Sequence, residues 1–125
     1  MEGIMINKYQ STVTEVGAEA EIFFSENMMV IFNDTAPADL RTIGVIHKEA
    51  HLLEDVEAGD VLEVAGEAYE ILFVGSKVND TLKELGHCTI MFNGEISADL
   101  PGTMTVEKKP LPNVTVDSEI RIVKK

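Results

Sequence analysis

The chain contains three histidines, His47, His51 and His87, and two of them lie where an imidazole could act on another molecule. His47 ends the apolar segment 43–46. A histidine at the end of a buried strand can be supported from behind by the protein while one ring nitrogen faces solvent. Because neutral imidazole is nucleophilic and available near pH 7, His47 is a candidate nucleophile toward an electrophile such as phosphorus. A strand-end histidine without chemistry is the alternative reading.

His87 lies between Gly86, at the end of a predicted helix, and an apolar segment that begins at Cys88. In that setting it could lie near His47 and hydrogen-bond to a group placed there. Alternatively, a cationic His87 could interact with the helix C-terminus, where positive charge is favoured. The residues by themselves leave both roles open.

Other reactive residue types have structural explanations. His47 and His51 are four residues apart, but their segment is predicted to be strand and then loop, without a third ligand, so no metal site is expected. Cys88 falls within an apolar strand, where its thiol would be buried and inert. Asp39 and Asp99 recur in the same Ala-Asp-Leu context, which favours a bracing role in turns. We expect no cofactor.

Most of the chain shows the short apolar or alternating runs that are typical of strands. They cover residues 9–16, 28–32, 43–47, 61–64, 69–74, 88–92, 103–106 and 119–123. A helix is predicted before Gly86, capped by Asn79 or Asp80, and a helical turn within residues 19–25. Residues 36–40 also suit a helical turn. This order predicts an all-β fold, a small closed barrel with one or two short helices.

The sequence also repeats itself. Residues 32–40, FNDTAPADL, return as residues 92–100, FNGEISADL, with five of nine positions identical. Weaker matches at offsets of 58 to 60 extend the repeat to about 9–65 and 67–123. We therefore expect one domain over residues 1–125, built from two duplicated, pseudo-symmetric halves. The histidines are not repeated, since Glu107 and Asn27 stand where the other copy has His47 and His87.

Composition excludes several classes of function. The 125 residues are 45% apolar with a net charge of −12, which disfavours nucleic-acid binding because the phosphate backbone would be repelled. No apolar run reaches the roughly 20 residues that span a bilayer, and no export signal is visible. The single cysteine fits a reducing compartment. We expect a cytoplasmic protein.

The chain resembles the glucitol/sorbitol-specific IIA component of the bacterial phosphoenolpyruvate-dependent phosphotransferase system. The resemblance runs from about Tyr9 to the C-terminus. The segments that carry it are Ala36-Pro37-Ala38-Asp39-Leu40, Ile46-His47, Val74-Gly75-Ser76, Leu82-Lys83-Glu84-Leu85-Gly86-His87-Cys88-Thr89, Phe92-Asn93-Gly94 and Pro101-Gly102-Thr103. One departure is Gly44, which is smaller than the residue expected there.

The resemblance implies a phosphocarrier with His47 as the phosphohistidine nucleophile, through Nε2. HPr would donate the phosphoryl group and the sorbitol-specific IIB component would receive it. IIB would then phosphorylate the sugar alcohol at the membrane-bound IIC component, so the membrane is reached only through this partner. Hydrogen-bond donors to the phosphoryl group could come from His87, Thr89 or backbone N–H groups near His47. A small all-β barrel with an internal duplication is the implied fold.

A non-catalytic barrel is the alternative function. Such a regulatory or adaptor subunit would bind transport-system partners without carrying phosphate. The two hypotheses differ at His47, which only the carrier requires, and at solvent access to its ring.

Overall fold

The computed structural model describes residues 6–124, whose strands close into an eight-stranded barrel. The strands and helices are β1 Ile6–Val16, α1 Ala20–Phe24, β2 Met28–Asn33, α2 Ala38–Arg41, β3 Val45–His47, β4 Val61–Val64, β5 Glu67–Val74, α3 Val78–Leu85, β6 Cys88–Met91, β7 Thr103–Val106 and β8 Glu119–Lys124. The predicted closed barrel is confirmed, but the described residues form three short helices rather than one or two.

Around the barrel the strands follow the order β1-β3-β2-β6-β7-β5-β4-β8. The pairs β2/β3 and β6/β7 are parallel, and the other pairs are antiparallel, so the barrel is mixed. Exchanging β1 with β5, β2 with β6, β3 with β7 and β4 with β8 gives the same cyclic order, read in the opposite direction. The duplication itself stays a prediction.

Alternation of side chains explains the main core. On β1, Tyr9, Ser11 and Val13 point inward and are buried. Strand β2 is buried on both faces, because Val30 and Phe32 form a second, outer cluster with Ile46 of β3. A continuous apolar run is what a strand covered on both faces requires. The histidine-bearing strand β3 therefore packs between β1 and a fully buried neighbour.

Helix α3 begins differently from the prediction. Its N-cap is Lys77, without a side-chain cap, rather than Asn79 or Asp80. The Asn79 amide instead binds the backbone of Val56, accepting from its N–H at 2.7 Å and donating to its carbonyl at 3.2 Å. The predicted end is confirmed, since Gly86 takes the left-handed conformation with φ +59°.

Gly17 and Gly75 hold equivalent places in the two halves of the strand order, after β1 and β5. A Cβ at Gly17 would overlap the carbonyl of Thr42, and one at Gly75 would overlap that of Pro101. Both therefore permit a close crossing of the loop that leads into a parallel strand. At the first crossing, the Gly17 N–H donates to the Gly44 carbonyl just before β3. No helix within residues 6–124 has the length and apolarity needed to cross a membrane.

Candidate functional site

The His47 ring lies inside the barrel at the end of β3. Its backbone pairs with Val13 of β1 on one side and Asn33 of β2 on the other. The residue is 0% exposed. The expectation that one ring nitrogen faces solvent is therefore wrong for this conformation, because β1, β2 and the turn after α3 enclose the ring.

Both nitrogens of His47 contact backbone carbonyl oxygens. Nδ1 is 2.8 Å from the Lys48 oxygen, and Nε2 is 2.8 Å from the Gly86 oxygen. The Ser11 hydroxyl, 3.2 Å from Nδ1, donates to the same Lys48 carbonyl at 2.6 Å. Since carbonyl oxygens only accept, each of these contacts is a hydrogen bond only when the ring nitrogen carries a proton. The Gly86 oxygen therefore blocks Nε2 in this arrangement.

Gly86 closes the site. Its left-handed conformation ends α3 and turns its carbonyl toward the His47 ring. A Cβ at this position would lie 2.8 Å from both His47 Cε1 and Asn33 Cβ. Glycine is needed here for its conformation and for its small size, and the turn after α3 lies against the imidazole without a gap.

Tyr9 forms another wall. Its ring lies edge-on to the His47 ring, with centroids 5.8 Å apart. Its hydroxyl would lie 3.0 Å from a Cβ at Gly86, so it is aimed at the junction of Gly86 and His47. Burial, with a smaller contribution from Cys88, raises the pKa of Tyr9. The phenol therefore stays a neutral donor.

His87 lies next to this site but on the outer face of the barrel, and it is half-buried. Its ring stacks on Phe32, with centroids 4.1 Å apart and an interplanar angle of 9°. Its Nδ1 donates to the Ile31 carbonyl at 3.0 Å. Gly44 makes room for this stack, because a Cβ there would lie 3.1 Å from the Phe32 ring. The space that the small Gly44 leaves is thus occupied by a side chain of the same protein.

Thr89 is not brought to His47. On β6, Cys88 and Ile90 point inward, and Thr89 lies between them on the outer face opposite Val30. It lines an outer groove of about 560 Å³ together with Met28, Met91 and Leu100. The expected supporting role of Thr89 at His47 is therefore not supported by its position.

The inner site includes groups that the sequence prediction missed. Tyr9 and Ser11 are two residues apart on β1, so strand alternation could have placed both on the inward face. Nothing local in the sequence indicates that this face meets His47. The contact with the Gly86 carbonyl joins residues 39 positions apart and depends on barrel closure.

The remaining candidates are placed as follows. His51 is exposed and lies in the loop after β3. Cys88 is fully buried, and burial raises the pKa of its thiol to about 12, in line with the predicted inert cysteine. Within residues 6–124, no three or more His, Cys, Asp or Glu side chains are grouped to hold a metal ion.

Comparisons with known proteins identify the family. Residues 8–121 match the model of the PTS system glucitol/sorbitol-specific IIA component. The PTS system glucitol/sorbitol-specific EIIA components of Shigella flexneri and Escherichia coli (strain K12) are each 37% identical over 105 residues, 84% of this chain and 85% of theirs. A crystal structure of a PTS system IIA component from Enterococcus faecalis V583 matches with a TM-score of 0.77 and 29% identity, covering 89% of this chain and 96% of that one. The chain therefore belongs to the family of PTS glucitol/sorbitol-specific IIA components.

Proposed function

We propose that this protein carries a phosphoryl group on His47 between HPr and the sorbitol-specific IIB component. As a PTS glucitol/sorbitol IIA component it is part of the phosphotransferase enzyme system, and membership implies transfer from HPr to IIB. The observation that carries the choice of His47 is its fixed ring. A hydrogen bond from Nδ1 to the Lys48 carbonyl holds the tautomer in which Nε2 is the nucleophile.

Transfer requires a change at Gly86. The Gly86 carbonyl must leave Nε2, and the Nε2 proton must pass to solvent, before the nitrogen has a free lone pair. That lone pair then attacks phosphorus, the N–P bond of phospho-HPr breaks, and its electron pair returns to the HPr imidazole. Phosphoryl transfer depends mainly on positioning and charge stabilisation. The retained Nδ1–H keeps the ring aimed while the bond changes.

The turn after α3 is the element we expect to move. Helix α3 has only eight residues, and Leu85 at its end is exposed. Strands β1 and β2, by contrast, are held to β3 by ladders of backbone hydrogen bonds. We therefore expect the Gly86 turn to move and the barrel to stay closed, with the described conformation as the closed form of the carrier.

One observation favours His87 as a second candidate acceptor. It is half-exposed, and with Nδ1 donating to the Ile31 carbonyl its lone pair is on Nε2. That is the state in which imidazole attacks phosphorus without a prior rearrangement. His87 departs from the acceptor that family resemblance implies, and the mapping experiment below separates the two.

The experiment maps the phosphate after incubation with phosphoenolpyruvate, enzyme I and HPr. Cleavage after Lys and Arg places each histidine on its own peptide: His47 on 42–48, His51 on 49–77 and His87 on 84–108. One acid-labile phosphoryl group on peptide 42–48 supports the proposal. Phosphate on 84–108 transfers the role to His87, and no phosphate with active upstream proteins supports the non-catalytic adaptor.

The outer groove that Thr89 lines has the charge expected of a surface that binds a basic partner. Its lining residues fall within 23–30 and 89–103, which contain no Lys or Arg. Glu95 and Asp99 border its apolar floor of Met28 and Met91. Acidic charge around an apolar patch attracts basic surface and raises the association rate at low salt. We propose this face as the docking side for HPr in the cytoplasm, with the membrane reached only through the IIB/IIC partner.

We also propose that the barrel is a single domain formed by duplication of two halves. The strand order that survives exchange of β1 to β4 with β5 to β8 supports this origin. So do the matching roles of Gly17 and Gly75. His47 comes from the first half, and Gly86 and His87 come from the second. The carrier function would therefore have arisen where the two halves meet at one end of the barrel.

A further inference from the structure

The Tyr9 hydroxyl is the buried side-chain polar atom that has no hydrogen-bond partner within residues 6–124. Tyr9 as a whole is 1% exposed. Burying a hydroxyl without a partner costs free energy, and such groups in native proteins usually have a functional explanation or an additional ligand. Nothing in the packing of β1 requires this oxygen, because phenylalanine would fill the same space.

Tyr69 gives the contrast within the same chain. It is also 1% exposed. Tyr69 pairs with Leu62 across β4/β5, as Tyr9 pairs with Ile122 across β1/β8, so the two tyrosines hold related places in the barrel. The Tyr69 hydroxyl donates to the Pro110 carbonyl at 2.7 Å. The barrel therefore satisfies one buried phenol internally and leaves the other aimed at the histidine.

We infer that the Tyr9 hydroxyl is a phosphoryl-binding group that donates a hydrogen bond to an oxygen of the phosphoryl group on His47. The inference rests on the proposed function of His47 as acceptor. A point beside Gly86 lies 2.8 Å from His47 Cε1 and 3.0 Å from the Tyr9 oxygen, so displacement of Gly86 opens one space next to both groups.

The chemistry matches what a phosphohistidine needs. After Nε2 has attacked phosphorus, the transferred group carries negative charge on its oxygens, and a buried neutral donor stabilises that charge more strongly than water does. Burial raises the pKa of Tyr9, which keeps its proton on the oxygen. In the closed conformation the Tyr9 hydroxyl has no hydrogen-bond partner among residues 6–124, and a phosphoryl oxygen on His47 would provide one.

The test compares Tyr9→Phe with Tyr69→Phe. We expect Tyr9→Phe to take up phosphoryl groups from phospho-HPr about tenfold to a hundredfold more slowly, as for a lost hydrogen bond to a charged group. Its melting temperature should be unchanged or higher. Tyr69→Phe should take up phosphate at the normal rate, with a melting temperature lower by about 2–6 °C. Normal uptake by Tyr9→Phe, or a thermal loss like that of Tyr69→Phe, overturns the inference.

A spectroscopic readout follows from the composition. The chain has two tyrosines and no tryptophan, so Tyr69→Phe leaves Tyr9 as its only tyrosine. Phosphorylating this variant and removing enzyme I and HPr should change the near-ultraviolet tyrosine absorbance, because the Tyr9 hydroxyl gains a partner. An unchanged spectrum of the phosphorylated protein contradicts the inference.

Peptide mapping distinguishes failure of this inference from failure of the proposed function. Phosphate on peptide 42–48 together with normal uptake by Tyr9→Phe removes Tyr9 and leaves His47 as the acceptor. Phosphate on 84–108 overturns both, because no phosphoryl group would then form beside the Tyr9 hydroxyl.

Discussion

His47 and His87 lie on either side of Gly86, but their rings differ in burial and in hydrogen bonding. The His47 ring is inside the barrel, with a carbonyl oxygen at each nitrogen. The His87 ring is outside, half-exposed and stacked on Phe32, with only Nδ1 bound to a carbonyl. The His47 ring is held in one orientation but is inaccessible to solvent. The His87 ring is accessible but is held by fewer contacts.

The contrast shows that orientation and access are separate requirements of a phosphocarrier. A positioned nucleophile lowers the cost of reaching the reactive geometry. A group exchanged between two proteins must also be reached from outside. In this protein the two properties belong to different histidines, and Gly86 lies between them. The predictions below test whether opening at Gly86 gives His47 both properties.

Removing the inner ring should have the largest effect. We expect His47→Gln to abolish phosphate incorporation, because glutamine has no nucleophilic nitrogen, while its amide can still donate to the Gly86 carbonyl. Incorporation is measured as the mass gain of the intact protein. His51→Gln, which changes an exposed loop histidine, is the matched control and should incorporate phosphate normally. Full phosphate incorporation by His47→Gln would contradict the proposal for His47 and favour His87 as the phosphoryl acceptor.

Filling the space between the rings should have the next largest effect. Gly86→Ala adds a Cβ that lies 2.8 Å from His47 Cε1, at a φ of +59°. We expect the free energy of unfolding to fall by about 2–4 kcal/mol, from left-handed strain together with overpacking. Denaturant titration measures this.

Gly66→Ala is the control for Gly86→Ala. Gly66 has φ +86° and nothing within 4 Å of a Cβ, so only the conformational cost of about 1–2 kcal/mol applies. Equal decreases in the free energy of unfolding would mean that the turn after α3 moves to accommodate the added methyl group, and that Gly86 is not tightly packed against His47.

Removing the outer ring should have the smallest effect. We expect His87→Ala to slow phosphoryl uptake about fivefold to tenfold without abolishing it, because the variant loses the stack on Phe32 next to the Gly86 turn that we expect to move. Stopped-flow or quench kinetics with phospho-HPr measures the rate. His51→Ala serves as the control. An uptake rate equal to that of the unmodified protein would exclude His87 from the transfer step.

Much of the fold could be predicted from the sequence. The strand patterns and the helix stop at Gly86 both appear in the structure. The cap of α3 could not be predicted, because Asn79 reaches across to the backbone of Val56 instead of to its own helix. Local propensity is overridden where a distant partner competes for the same side chain.

The candidate site was only partly predictable. The resemblance implied His47, but its enclosure was not expected, and the sequence did not indicate on which face of the barrel Thr89 would lie. Alternation along β6 separates Thr89 from the inward side chains at Cys88 and Ile90. The register that fixes this alternation is set by pairing with β2 and β7.

By itself, the sequence determined the strand segments and the histidines available for chemistry, because hydrophobic periodicity and residue type are local properties of the chain. Only the tertiary structure decided which nitrogen meets which carbonyl, that Tyr9 faces His47, and that Gly86 closes the site. The contact between His47 and Gly86, for example, joins residues 39 positions apart. These contacts exist because closure of the barrel brings β1, β3 and the turn after α3 together, which no local pattern encodes.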